Sequence, residues 1–168
     1  GVIMLALVNG EPRVLSLRDM LYYYIKHQED VVTRRTKYNL EKDRARAHIL
    51  EGLLKALDNI DEVVHIIRTS KDTASARDAL MARFQFSDKQ AQAILDMRLA
   101  RLTNLESDKL LEEYHEIEKD IEYLESLLAD EQKLLGVIKA EMLDIKQKFN
   151  DPRRTELSPV EGEIDIED

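Results

Sequence analysis

Residues Leu110 to Phe149 read LLEEYHEIEKDIEYLESLLADEQKLLGVIKAEMLDIKQKF, and the fold turns on this stretch. Within it Leu110, Tyr114, Ile117, Ile121, Leu124 and Leu128, then Leu135, Ile138, Met142, Ile145 and Phe149, recur at steps of three and four, with Glu131 interrupting the register. A stripe of that period keeps one face of a helix on a partner, so it predicts a coiled-coil helix over 106–150. At 1.5 Å per residue, forty residues extend about 60 Å, far more than a compact domain of this size needs.

Upstream, Gly and Pro punctuation marks the other elements. Between Pro12 and Pro152 there is no proline, and the only glycines are Gly52 and Gly136. Helices should fill that interval. Ser16 is placed to cap a first long helix over 16–68, with Asp19 in its first turn. Its apolar positions are Leu17, Leu21, Tyr24, Val31, Val32, Tyr38, Ala45, Ile49, Leu53, Leu57, Ile60 and Val64, and the seam is weakest from Thr33 to Arg46. That window holds six bases (Arg34, Arg35, Lys37, Lys42, Arg44, Arg46) against Glu41 and Asp43, a local net of +4. Residues 112–131 carry nine acids against Lys119, a local net of -8. An antiparallel fold-back lays opposite charges along each other's flanks, which selects orientation and partner more than it adds stability. The basic window therefore reads first as the complement of the acidic return helix, and second as a patch for a nucleic-acid backbone.

Three short helices are expected over 69–105, bounded at Thr69-Ser70, Phe86-Ser87 and Thr103-Asn104. Ser87 with Gln90, and Thr103 with Glu106, have capping-box spacing. Around Gln90, Ala91, Ile94, Leu95, Met97, Arg98, Leu99 and Leu102 the chain is apolar on more than one face, which a small tip cannot cover alone. A homodimer through these residues is the expected solution. At the other end, Val2 to Val8 is an apolar run followed by Asn9-Gly10, a pair suited to a tight hairpin turn. Residues 1–15 therefore predict a short β-hairpin whose return strand, bearing Pro12, lies at an edge. A chain starting inside such a strand reads as a piece of a longer one. Residues 151–168 read as an acidic tail or linker, with Ile164 and Ile166 able to add an edge strand to another domain. The fold class is thus mainly all-α: a long antiparallel coiled-coil hairpin with a helical dimerisation knob at its tip and a β-hairpin at its base.

The chain's 168 residues carry a net charge of -9 and no Cys, which removes disulfides, thiolate zinc sites and cysteine nucleophiles, and fits a cytoplasmic setting. Net acidity argues against a free-standing nucleic-acid binder. No apolar run approaches the ~20 residues of a membrane span. His27, His48, His65 and His115 lack the spacing that puts two imidazoles on one helix face for a metal, and read as surface or seam residues. There is no phosphate-cradling glycine loop, nucleophile elbow or His-Glu-x-x-His. No catalytic, cofactor or metal residue is assigned. Tyr22, Tyr23 and Tyr24 read as packing at the hairpin's base.

IMLALVNGEP (3–12), RRT (34–36), RAHILEGL (46–53), QAQAILDMRLARLTNLE (90–106) and DPRRTEL (151–157) closely resemble bacterial type IIA topoisomerase A subunits, the gyrase branch being nearer than topoisomerase IV. The resemblance runs through essentially the whole chain. It implies the coiled-coil arm and terminal knob of the breakage-reunion domain, where two copies meet to form the exit gate, or C-gate. The family's catalytic tyrosine follows an arginine, and this chain has no Arg-Tyr dipeptide, so the stretch by itself is expected to be inactive. The resemblance also implies two partners, duplex DNA and, in an A2B2 complex, the gyrase B subunit, which handles ATP and Mg²⁺. Asn104 stands where the family usually has Gly. A coiled-coil spacer unconnected with DNA enzymes is the alternative from another class, and dimerisation through the short helices separates the two.

Overall fold

A computed structural model describes residues 2–157. The chain opens with β1 (Leu5–Val8) and β2 (Glu11–Val14), an antiparallel pair joined by Asn9-Gly10. Both turn residues have positive φ, as a twist-matched two-residue hairpin requires. Pro12 pairs opposite Leu7 on a strand with no further neighbour, so its missing donor costs no ladder bond. The strand is shorter than the apolar run, because Val2 and Ile3 have no partner strand.

Ser16 caps α1 (Leu17–Asp58), its hydroxyl accepting from the Asp19 amide at 3.2 Å. The helix runs for 42 residues. At the α-helical rise that is a rod roughly 60 Å long. The expected single helix over 16–68 is broken at Asn59, whose backbone leaves the helical region (φ -121°, ψ 34°) while its side-chain amide donates to the Lys55 carbonyl. The chain then turns into α2 (Ile60–Thr69), α3 (Thr73–Phe84) and α4 (Asp88–Leu95), followed by a 3-10 turn at Leu99–Leu102. These four pieces and the end of α1 form the knob. Its core is Leu53, Ala56, Val63, Leu80, Phe84, Phe86, Ala91 and Ile94, with the Phe84 and Phe86 rings stacked at 5.3 Å.

The return path is α5 (Asn104–Ala129) and α6 (Glu131–Phe149), both packed on α1. The helix expected over 106–150 is jointed at Asp130, which takes extended backbone (φ -131°, ψ 106°) and caps α6 by accepting from the Gln132 amide at 2.9 Å. The apolar stripe is otherwise at least partly buried down to Met142, although on either side of the joint Leu127 and Leu134 are buried more deeply than the expected Leu128 and Leu135. Ile145 and Phe149 are exposed. On α1 the buried face of the arm is Val32, Thr36, Leu40, Ala47 and Leu50, not the expected Tyr38 and Ala45, which point to solvent. Across the flanks Arg46 binds Glu113, Arg44 binds Glu125 at 2.6 Å and Arg35 binds Glu141 at 2.5 Å. Ascending numbers on the return path meet descending numbers on α1, which fixes the pairing as antiparallel, and the basic window faces acids as charge matching predicts. At the base Tyr22 meets Tyr23 edge-on, yet Tyr22 and Tyr24 are half exposed, so the tyrosine cluster is only partly packed. Asn150 and Pro152 end α6, and residues 151–157 are exposed irregular chain. Ile164 and Ile166 lie outside the described residues.

Candidate functional site

The expected contact residues divide three ways. Gln90, Ala91 and Ile94 are turned inward and buried within the chain itself. Leu95, Met97, Leu99 and Leu102 line an open apolar groove of about 240 Å³. Arg98 turns to another concavity, shared with Arg46. Within the chain α4 closes the knob's own core, because Ala91 and Ile94 pack in one cluster with Leu53, Leu80 and Phe84, and Ile94 also borders the groove from below.

The groove's other wall is absent from the expected set. It is α2, whose Ile60, Val63, Val64 and Ile67 stand at three-and-four spacing and line it, with Arg68 at the rim. That spacing is visible in the sequence. Without the break at Asn59, however, those residues sit on the long helix and read as a continuation of its seam. Leu99 is 83% exposed beside the groove and Val64 is 36% exposed, so the knob presents contiguous apolar surface over a packed interior. Such a patch marks a contact site more often than free surface.

Gln90 joins knob to arm. Its side-chain amide donates to the His48 carbonyl of α1 at 2.7 Å, while its carbonyl oxygen accepts from the Ser87 amide at 3.0 Å. Ser87 Oγ accepts from the Gln90 amide and lies 2.6 Å from His48 Nε2, so the capping box expected from the sequence also fastens α4 to α1. Gly52 makes room: a Cβ there would come within 2.7 Å of Gln90 Cγ. Lys55 adds a bond to the Phe84 carbonyl at 2.7 Å. The second capping box does not form. Thr103 Oγ1 instead donates to the Ala100 carbonyl at 3.2 Å, which satisfies the 3-10 turn rather than α5.

Electrostatic perturbation arises from ion pairs, hydrogen bonds and burial along the helices. Hydrogen bonds from Arg46 hold the Glu113 carboxyl below its ordinary value, with Arg101 contributing, and Glu113 in turn raises the Arg46 guanidinium. Burial, followed by hydrogen bonding to Glu51 and Glu118, pushes the Tyr114 phenol up. Lys109 lowers Glu106. None of these groups stands in a closed pocket with a partner acid or base. Among the described residues no cluster of three or more His, Asp or Glu side chains is placed to hold a metal, and no helix is long and apolar enough to cross a membrane.

The class this defines is a helical arm-and-knob module with an open apolar groove on its knob. Residues 1–143 match the family of DNA gyrase/topoisomerase IV A subunits. The chain is 54% identical over 168 residues to the DNA gyrase A subunit of Clostridium acetobutylicum, covering all of this chain and 20% of that protein. It is 53% identical over 167 residues to the DNA gyrase A subunit of Deinococcus deserti, with 99% of this chain and 21% of the relative covered. Against the DNA gyrase A subunit of Staphylococcus aureus it is 52% identical over 168 residues, the whole of this chain and 19% of the relative. The chain belongs to the DNA gyrase/topoisomerase IV A-subunit family. It spans about a fifth of the length of the relatives it matches.

Proposed function

We propose that this chain is the coiled-coil arm and C-gate knob of a gyrase-type A subunit. Two copies join through the knob, hold the subunits together while a DNA gate elsewhere in the protein is cut, and then part to release the transported duplex. The observation that carries this reading is the apolar groove of α2 and the 3-10 turn, set on a self-supporting knob at the far end of the long α1 arm. That geometry separates the knob's contact face from the arm's base by more than a duplex is wide. The three relatives named above are A subunits of gyrase, which supports the gyrase branch over topoisomerase IV. ATP, Mg²⁺ and the B subunit belong to the whole complex, and the chain's own contribution is mechanical.

A symmetric pair makes the groove self-complementary, and about 800 Å² buried per partner is typical of a stable contact. Light scattering at tens of micromolar should give twice the 19.5 kDa chain mass. Leu99→Asp should give folded monomers, because an unpaired carboxylate in an apolar contact costs several kcal/mol while Leu99 holds nothing inside the knob. Ile94→Asp is a poorer test, since Ile94 is 3% exposed and its loss would unfold the knob. A wild-type monomer, or a dimer indifferent to Leu99→Asp but broken by Ile145→Asp on the arm, overturns the reading.

A further inference from the structure

The segment that closes the apolar groove also closes a second concavity. In a 3-10 turn side chains three apart eclipse, which puts Leu99 and Leu102 on one edge, while Arg98, the extended residue that leads into the turn, and Arg101 take another side. Leu99 and Leu102 line the groove, whereas Arg98 and Arg101 line a cleft of about 470 Å³ against α1. The Arg101 amide donates to the Arg98 carbonyl at 2.9 Å and closes the turn between them. The α1 wall contributes Arg46 and Leu53, and Asp96 is the one carboxylate among the lining residues.

Most of the guanidinium capacity in this cleft is uncommitted. Arg46 gives Nε and Nη2 to Glu113 at 2.7 and 2.9 Å, which leaves Nη1. Arg98 and Arg101 make no ion pair among the described residues. The nearby acids are already engaged: Asp96 accepts from the Gln92 amide at 3.1 and 3.0 Å, and Glu106 takes Lys109 at 2.7 Å. The two free planar forks of Arg98 and Arg101, with Nη1 of Arg46, line a concavity walled partly by Leu53 and Met97 and match the oxygens of a phosphate, which guanidinium binds in bidentate fashion. In a chain of net charge -9, three guanidinium groups line this cleft against one carboxylate, with Glu106 and Glu113 close to Arg101.

We propose that Arg46, Arg98 and Arg101 form a phosphate-binding site that takes the sugar-phosphate backbone of a DNA duplex beside the dimer contact. The choice of duplex over free phosphate rests on the arm-and-knob reading above. The site grips without reading sequence, since phosphate contacts carry none. The test uses the whole chain, a labelled 20-base-pair duplex followed by fluorescence anisotropy across a salt series, and inorganic phosphate as the rival probe. Arg98→Gln with Arg101→Gln should weaken duplex binding about tenfold at low salt and lower the slope of log K against log salt by about two, one for each phosphate no longer neutralised. Arg44→Gln, which removes a guanidinium engaged by Glu125, should change neither. Dimer mass and helicity should hold in all three. The proposal is overturned by wild type that does not bind the duplex, by a double variant that binds as wild type does, or by monomerisation of that variant. Inorganic phosphate that shifts the Arg98 and Arg101 NMR signals where the duplex leaves them unmoved would assign the cleft to a free anion and also overturns it. If wild type proves monomeric while the double variant still loses duplex binding, the phosphate site stands and the arm-and-knob reading falls.

Discussion

The knob and the arm are held by different means. In the knob, eight buried residues from α1, α2, α3, α4 and the loop before α4 enclose one another, and Phe84 and Phe86 stack among them. In the lower arm the seam is one layer thick: Val32 meets Leu134 and Ile138, flanked by Leu135, Val137 and Met142. Along the arm's flanks the interhelix pairs of Arg35, Arg44 and Arg46 sit half exposed and set register more than they add stability. A closed core resists every direction of displacement. A seam with charged edges resists separation and register slip but leaves bending cheap.

The contrast makes an ordered set of expectations. The largest effect should follow truncation in the knob, where Leu80 is fully buried and five segments cannot all collapse into the cavity it would leave. Leu80→Ala should cost about 3 to 4 kcal/mol. On the arm, where two helices can close on a smaller residue, Ile138→Ala should cost only about 2 kcal/mol. Equal losses in urea unfolding would erase the distinction between the two regions.

At the joint between them, Gly52→Ala should destabilise by about 1 kcal/mol, because overpacking outweighs the gain in helix propensity. The crowded atoms are Gln90 Cβ and Cγ. The sharper readout is the bond from Gln90 to the His48 carbonyl, whose loss should appear as faster amide exchange around Ser87 to Ala91. A stabilised Gly52→Ala variant with unchanged exchange would show that the joint is loose.

The smallest effect concerns the flank. Glu113 is held below its ordinary value of 4.5 by Arg46, so its pairing contributes above the unfolded-state value and is lost as pH falls through the lower folded-state value. The melting temperatures of wild type and Glu113→Gln should differ slightly at neutral pH and converge as the pH falls through the lowered folded-state value, with less than about 1 kcal/mol at stake in an exposed pair. A gap that survives acid would mean that the ion pair is not its source.

Some of this architecture is legible in the sequence because single residues carry it. Ser16, Ser87 and Asn9-Gly10 act through local hydrogen bonds or backbone preference, and each does in the structure what its sequence position implies. The return stripe is legible because its residues are large. The α1 seam is not, because a coiled-coil face is set by phase rather than hydropathy: Thr36 and Ala47 are buried while the larger Tyr38, out of phase, is 63% exposed. Asn59 and Asp130 interrupt their helices by backbone conformation and capping, and neither residue type is a breaker by itself. The contact residues are half legible. An apolar run names candidates, but which face closes inward depends on Leu53, Leu80 and Phe84, none of them on α4.

The joint at Asp130 has a mechanical consequence. Along the arm one strut, α1, is continuous while the other is cut into two lengths by a single extended residue. A beam spliced on one side does not flex equally in all directions: it folds toward or away from the splice and stays stiff across it. Load applied at the tip is thereby turned into a swing in one plane. Two such beams joined at their tips and related by a two-fold axis would swing in matched senses, spreading or closing the space between them like the legs of a pair of dividers.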